Sequence, residues 1–180
     1  MEARAVGHYK RVTAYTIAMA RKMGLSKEEI GVIARGAFLQ DIGTTAIRDD
    51  IVRKRDKLTD EETAILREHC HLGYKMISRI PSLAESAEIV YSHHERYDGL
   101  GYPRRLKGNE IPLGARLVAV ANSLDAITSY PSYRHAQSFD LARKEIDLGS
   151  GRQFDPQIIE VFLEMPAKIW EDLRKDLEIG

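Results

Sequence analysis

One cysteine, one tryptophan and no surplus of either charge sign are what this chain of 180 residues has least of. The lone Cys70 excludes an internal disulfide and fits a reducing compartment. Lys and Arg number 27 against 27 Asp and Glu, so no bulk attraction draws the chain to DNA, RNA or anionic lipid. Arg53-Lys54-Arg55 is a local basic cluster and reads as a solvated loop. No apolar run approaches the ~20 residues of a membrane span. The charged, amphipathic N-terminus is unlike a secretory signal. Together these features predict a cytoplasmic protein. Apolar residues make up 43% and charged residues 30%, enough to bury the core of one domain over residues 1–180.

What is present is helical nearly throughout. Val12, Tyr15, Ala18, Met19 and Met23 recur at helical spacing, and Gly24 supplies a stop. Ser26/Glu29, Thr59/Glu62 and Ser82/Glu85 read as capping boxes, and Asp155-Pro156 as a further helix start. The spacing predicts helices over 3–23, 27–40, 45–53, 60–79, 82–94, 113–128, 139–147, 156–164 and 167–178. No segment of real length alternates as a strand does, so the fold class is all-α, a single helical bundle. The segment 97–112, rich in Gly and Pro, interrupts it with an irregular loop. A second irregular segment, 149–154, reads as a connector.

The strongest chemical signal is His93-His94, which closes an apolar run and leads into that loop. Neutral imidazole is a common ligand for transition metals. Short connections make neighbouring helices antiparallel. The turn at 24–26 then places His8 and Asp41 level, each roughly 25 Å away along its helix at ~1.5 Å per residue. The turn at Pro81 does the same for His69 and His93, each roughly 18 Å away. Asp41 near a helix C-terminus opposes the helix dipole, which favours a role beside a cation. His71 and His135 read as ordinary surface or core residues.

These residues, with Glu95-Arg96-Tyr97-Asp98-Gly99-Leu100-Gly101-Tyr102-Pro103, Ile111-Pro112-Leu113-Gly114-Ala115-Arg116 and Gln153-Phe154-Asp155-Pro156, resemble the HD-GYP domain. That is a branch of the HD metal-dependent phosphohydrolase superfamily. The resemblance covers nearly the whole chain. It implies an HD-domain helical bundle with an irregular GYP loop. It also implies hydrolysis of the second messenger cyclic di-GMP by two or three metal ions, often iron or manganese, that activate a bridging hydroxide.

Carried over residue by residue, the resemblance splits. One metal is expected at Asp41, His69, His93 and His94, all present. The other would use an early histidine, here His8, the shared Asp41, the motif histidine and a later aspartate. Those last two positions hold Gln40 and Asn122, and Arg4 stands where a glutamate is expected. The HD-x-G-K motif reads Gln40-Asp41-Ile42-Gly43-Thr44, without its lysine. The Asp-Arg-Pro-Tyr-Arg segment reads Tyr130-Pro131-Ser132-Tyr133-Arg134, so the first arginine is Pro131 while the second survives as Arg134. Arg134 and Tyr102 are the expected substrate contacts.

The expected cofactor is therefore one divalent transition metal, iron, manganese, nickel or zinc, with His8 a further candidate ligand and the second metal weak or absent. The expectation is a degenerate phosphodiesterase-like signalling domain with weak or no hydrolysis. The alternative is an active enzyme tolerating Gln40 and Asn122, and a metal-free scaffold is the remaining one. A cyclic dinucleotide or a signalling protein is the expected partner, and a longer parent protein the expected context.

Overall fold

The computed structural model describes residues 2–129 and 138–179, and the side chains of 6–129 and 138–177. Helix α1 (Glu2–Lys22) ends at Gly24, whose φ of +78° reverses the chain at no Cβ cost. Ser26 then opens α2 (Lys27–Leu39) with a complete capping box: its hydroxyl accepts from the Glu29 N–H, and the Glu29 carboxylate accepts from the Ser26 N–H. A 3-10 turn (Ile42–Ala46) and the short α3 (Asp49–Val52) follow. Next come α4 (Asp60–Arg67), α5 (His69–Ile77), α6 (Ala84–Ser92) and α7 (Leu113–Ser129). The chain closes with α8 (Phe139–Asp147), α9 (Pro156–Glu164) and α10 (Ala167–Ile179). Among the described residues there is no strand, only an isolated bridge between Ser150 and Phe154. No described helix is long and apolar enough to cross a membrane.

Helix α7 is the centre of the bundle. Leu117, Val118, Val120, Ala121 and Leu124 are all fully buried, which a helix achieves only when neighbours surround it. Those neighbours are α1, α2, α6, α8 and α9. Trp170 of α10 closes one end, edge-to-face with Tyr15 and tilted against Phe162. A smaller apolar cluster of Ile77, Ala87 and Val90 ties the α5–α6 hairpin to Leu39 at the end of α2 and to Ile42 at the start of the 3-10 turn. The candidate site lies between this cluster and α7.

Three expected elements differ in detail. The helix expected over 60–79 steps at Glu68, where the Glu68 N–H bonds the Ile65 carbonyl in the tighter 3-10 manner. The expected 45–53 helix is the 3-10 turn plus α3, separated at Ile47. The Ser82/Glu85 capping box does not form. The N-cap falls on Leu83, whose side chain packs into the smaller cluster, so apolar packing sets that helix start. The boxes at Thr59/Glu62 and the Asp155 cap with Pro156 behind it are present.

Candidate metal centre

Two glycines let the site close. A Cβ on Gly43 would lie 2.0 Å from the His69 carbonyl oxygen and 2.5 Å from the Gly73 nitrogen. The 3-10 turn after Asp41 therefore packs backbone to backbone on α5, and no side chain fits between. A Cβ on Gly73 would meet Val90 at 2.8 Å, so α5 also needs a bare position to meet α6. This close approach carries Asp41 to the start of α5 and the end of α6.

Asp41 Oδ1 lies 3.4 Å from His69 Nε2 and 3.5 Å from His93 Nε2, and the two imidazole nitrogens are 3.4 Å apart. The His94 ring centroid is 5.1 Å from that of His69 and 4.1 Å from that of His93. His69 Nδ1 bonds the Leu66 carbonyl at 2.7 Å and His93 Nδ1 bonds the Val90 carbonyl at 2.8 Å. A carbonyl can only accept, so each Nδ1 carries the proton and each Nε2 turns a lone pair into the cluster.

The electrostatics agree with that assignment. Burial holds His69 below the usual imidazole range. Burial, reinforced by His93 and His69, pushes His94 down to about 2. Burial works to raise the Asp41 carboxyl, but the surrounding imidazoles, His93 first, overcome it and hold it to about 2. The site thus offers neutral imidazoles and an ionised carboxylate at neutral pH. Donors ~2.0–2.1 Å from one tetrahedral ion sit about 3.4 Å apart, which matches the three separations among Asp41, His69 and His93. The residues fit a divalent transition ion.

The adjoining side of the same cleft is built differently. A pocket of about 330 Å³ is bounded by His8, Asp41, His93, His94, Arg96 and Asn122, among others. His8 Nδ1 lies 2.7 Å from Asp125 Oδ2, which leaves Nε2 as its free donor. Arg11 holds the other Asp125 oxygen at 2.5 Å, and Arg174 approaches it at 3.7 Å. Burial works to raise the Asp125 carboxyl, but the His8 and Arg11 hydrogen bonds prevail and hold it to about 2.

Gln40 and Asn122 face each other and exchange two hydrogen bonds. Gln40 Nε2 donates to Asn122 Oδ1 at 3.1 Å, and Asn122 Nδ2 donates to Gln40 Oε1 at 2.7 Å. Turning both amides over gives the same pairing, so the ring does not depend on which end of each amide is oxygen.

The GYP loop closes the other flank of His94. Tyr102 stacks on the His94 ring at 4.7 Å and 20°, and the Arg67 guanidinium lies 4.7 Å from the Tyr102 ring centroid. Glu95 is buried at the root of the loop, where its carboxylate accepts the N–H groups of Arg104 and Leu106 at 2.7 and 3.1 Å. The segment 149–154 does more than connect. Its Arg152 and Gln153 carbonyls accept the N–H groups of Asp98 and Tyr97 at 2.8 and 3.3 Å. An Arg116–Asp155 ion pair ties it in turn to α7.

The structure brings Asp41, His69, His93 and His94 into one cluster and sets His8 in the adjoining pocket. His71 lies against Tyr91 instead, 5.7 Å between centroids. Arg134, with Tyr130, Pro131, Ser132, Tyr133 and His135, lies outside the described residues, as does the Arg4 side chain. Sequence reasoning missed two participants. Cys70 Sγ sits 3.5 Å from His69 Nε2, and the donor atoms of His69, Cys70, His93 and His94 all lie within 4.8 Å of one another. Burial, with Asp41 nearby, pushes that thiol up to about 12. Asp125 was also missed, although it lies one helical turn after Asn122, which could have flagged it.

The HD domain family model matches residues 2–158. A cyclic di-GMP phosphodiesterase of Thermotoga maritima is 39% identical over 171 residues, 94% of this chain and 46% of that protein. The cyclic di-GMP phosphodiesterase response regulator RpfG of Xanthomonas campestris pv. campestris is 39% identical over 84% of this chain and 40% of its own length. A 3'3'-cGAMP-specific phosphodiesterase of Vibrio cholerae is 35% identical over 87% of this chain and 30% of its length. The chain thus spans less than half of these relatives. An HD-GYP-type protein of Bdellovibrio bacteriovorus shares the fold with a TM-score of 0.69 at 21% identity, over 87% of this chain and 50% of that one. The chain belongs to the HD domain family, in its HD-GYP branch.

Proposed function

We propose that this chain is a cyclic-dinucleotide signalling domain that keeps one metal pocket, at Asp41, His69, His93 and His94, and has lost the second. The single observation that carries this reading is the reciprocal Gln40–Asn122 pair. Amide oxygens are weak ligands beside imidazole or carboxylate, and here both are already taken. Gln40 is fully buried. Turning either oxygen toward an ion would strand amide N–H groups at about 1–3 kcal/mol each.

Charge points the same way. Two divalent ions need several compensating negative charges in a partly dry cleft. Asp125 is already paired with Arg11 and hydrogen-bonded by His8, and Glu95 is committed to loop backbone. Among the described residues that bound the pocket, that leaves Asp41, which the intact metal pocket uses. A divalent ion in that pocket supplies Lewis acidity toward a phosphate oxygen. The protein's own contributions are orientation of His69 and His93 by backbone carbonyls and support of His94 by Tyr102, with Arg134 the residue that the family resemblance offers to the substrate phosphate. The absent lysine at Thr44 and arginine at Pro131 remove two further stabilisers of developing charge.

Losing one such stabiliser commonly costs ~10²–10³ in rate. Weak or no hydrolysis is therefore the expected behaviour, with binding of the dinucleotide retained as a signal. The relatives' names support a cyclic dinucleotide as the ligand class, and their greater length supports a larger parent protein. The test is hydrolysis of cyclic di-GMP and 3'3'-cGAMP with manganese or iron supplied. Turnover at least ~10²-fold below that of an intact relative supports the reading. Comparable turnover overturns it in favour of an enzyme that tolerates Gln40 and Asn122.

A further inference from the structure

We propose that Cys70 supplies a thiolate to the retained metal together with His69, His93 and His94, so that the centre selects zinc or iron(II) over manganese. The inference rests on the one-metal reading above and deepens it.

Geometry carries it. Cys70 Sγ lies 3.5 Å from His69 Nε2. An imidazole nitrogen at ~2.05 Å and a sulfur at ~2.3 Å on one tetrahedral ion are separated by about 3.5–3.6 Å. The donors of His69, Cys70, His93 and His94 converge within 4.8 Å of one another. Cys70 is fully buried, and His69 Nε2 is its hydrogen-bonding neighbour. A buried cysteine is usually a small apolar filler. A filler has no reason to aim its sulfur at the donor atom of a ligand-type histidine. Cys70 also occupies the first turn of α5 beside His69, so one stretch of backbone fixes both donors.

Binding is a simple exchange. The S–H bond breaks, its proton passes to solvent, and a sulfur–metal bond forms, with no change of oxidation state. A divalent cation inverts the local preference that keeps the thiol protonated. Thiolate is a soft donor, which disfavours manganese relative to zinc or iron(II).

Cobalt(II) titration into the full chain tests this. One equivalent of cobalt should produce an intense near-ultraviolet sulfur-to-cobalt charge-transfer band. The chain has a single cysteine, so that band can come only from Cys70. Cys70→Ser should abolish the band and keep the weaker visible bands of imidazole-bound cobalt. If the variant does not fold, X-ray absorption of the unaltered cobalt-loaded chain replaces it, with a cobalt–sulfur shell expected. One cobalt bound with neither band nor sulfur shell refutes the thiolate and leaves the one-metal reading standing. No cobalt bound at all overturns both.

Discussion

Restoring histidine at Gln40 and aspartate at Asn122 should rebuild the lost metal site, and the cost and gain can be worked out. In the metal-free chain the pair contributes two hydrogen bonds of about 0.5–1.5 kcal/mol each, between side chains 82 positions apart. Asn122→Asp alone leaves a carboxylate oxygen facing the Gln40 carbonyl, or forces Gln40 to flip and satisfy one side only. Gln40→His alone leaves Asn122 without its second partner. Each single variant should lose about 1–3 kcal/mol in a urea melt. The double variant should lose less than the sum, because imidazole and carboxylate bond each other.

Once loaded, the double variant has gained two good donors and one negative charge beside His8 and Asp41. Metal analysis by plasma mass spectrometry should rise from one ion per chain to two. Hydrolysis of cyclic di-GMP should rise ~10²–10³-fold, the worth of one restored electrostatic stabiliser. It should stay below that of intact relatives, because Thr44 and Pro131 remain. A double variant that folds and still binds one ion would refute the reasoning, since charge and donor type would not then limit the second site.

Other outcomes follow from the same geometry. His94→Ala should abolish stoichiometric metal binding in equilibrium dialysis. Tyr102→Ala removes the ring stacked on His94 and should weaken metal affinity ~10–100-fold in the same assay, as loss of an orienting partner does. Gly43→Ala forces apart backbone that touches at 2.0 Å and should destabilise the chain by at least ~1–3 kcal/mol in a thermal melt. Asp125, held to about 2 against an ordinary 3.8, contributes stability that is complete above 3.8 and lost as pH falls toward 2. The loss is on the order of 2 kcal/mol, and Asp125→Asn should flatten the acid limb of a stability–pH curve in that window. His69 and His94 are buried neutral, so the metal-free chain should also weaken as pH drops below 6.5, where the unfolded chain takes up those protons.

Most of the helical frame was legible because its signals are local. Gly24, the Ser26/Glu29 and Thr59/Glu62 boxes and Asp155-Pro156 act within a few residues, and the structure uses each of them. Ser82/Glu85 failed because a long-range demand won: burying Leu83 fixed the start of α6 one residue later. The level placement of His69 and His93 followed from counting rise along two antiparallel helices. Their 3.4 Å separation depended on Gly43 and Gly73, whose role appears only when backbones meet. The Gln40–Asn122 pairing was invisible because nothing in sequence joins residues on α2's C-terminal end and mid-α7. Cys70 was missed for a different reason. Adjacent helical side chains diverge by about 100°, so periodicity assigns His69 and Cys70 to different faces. Their donor atoms nevertheless meet, 3.5 Å apart.

The central claim is that one half of this cleft holds an ion and the other does not. Anomalous diffraction from crystals of the unaltered chain grown with excess iron or zinc, collected at the metal edge, tests it most directly. A single peak among Asp41, His69, Cys70, His93 and His94 is the expected result. A second peak of similar occupancy beside His8 and Asn122, with the Gln40–Asn122 pair broken to reach it, would contradict the account.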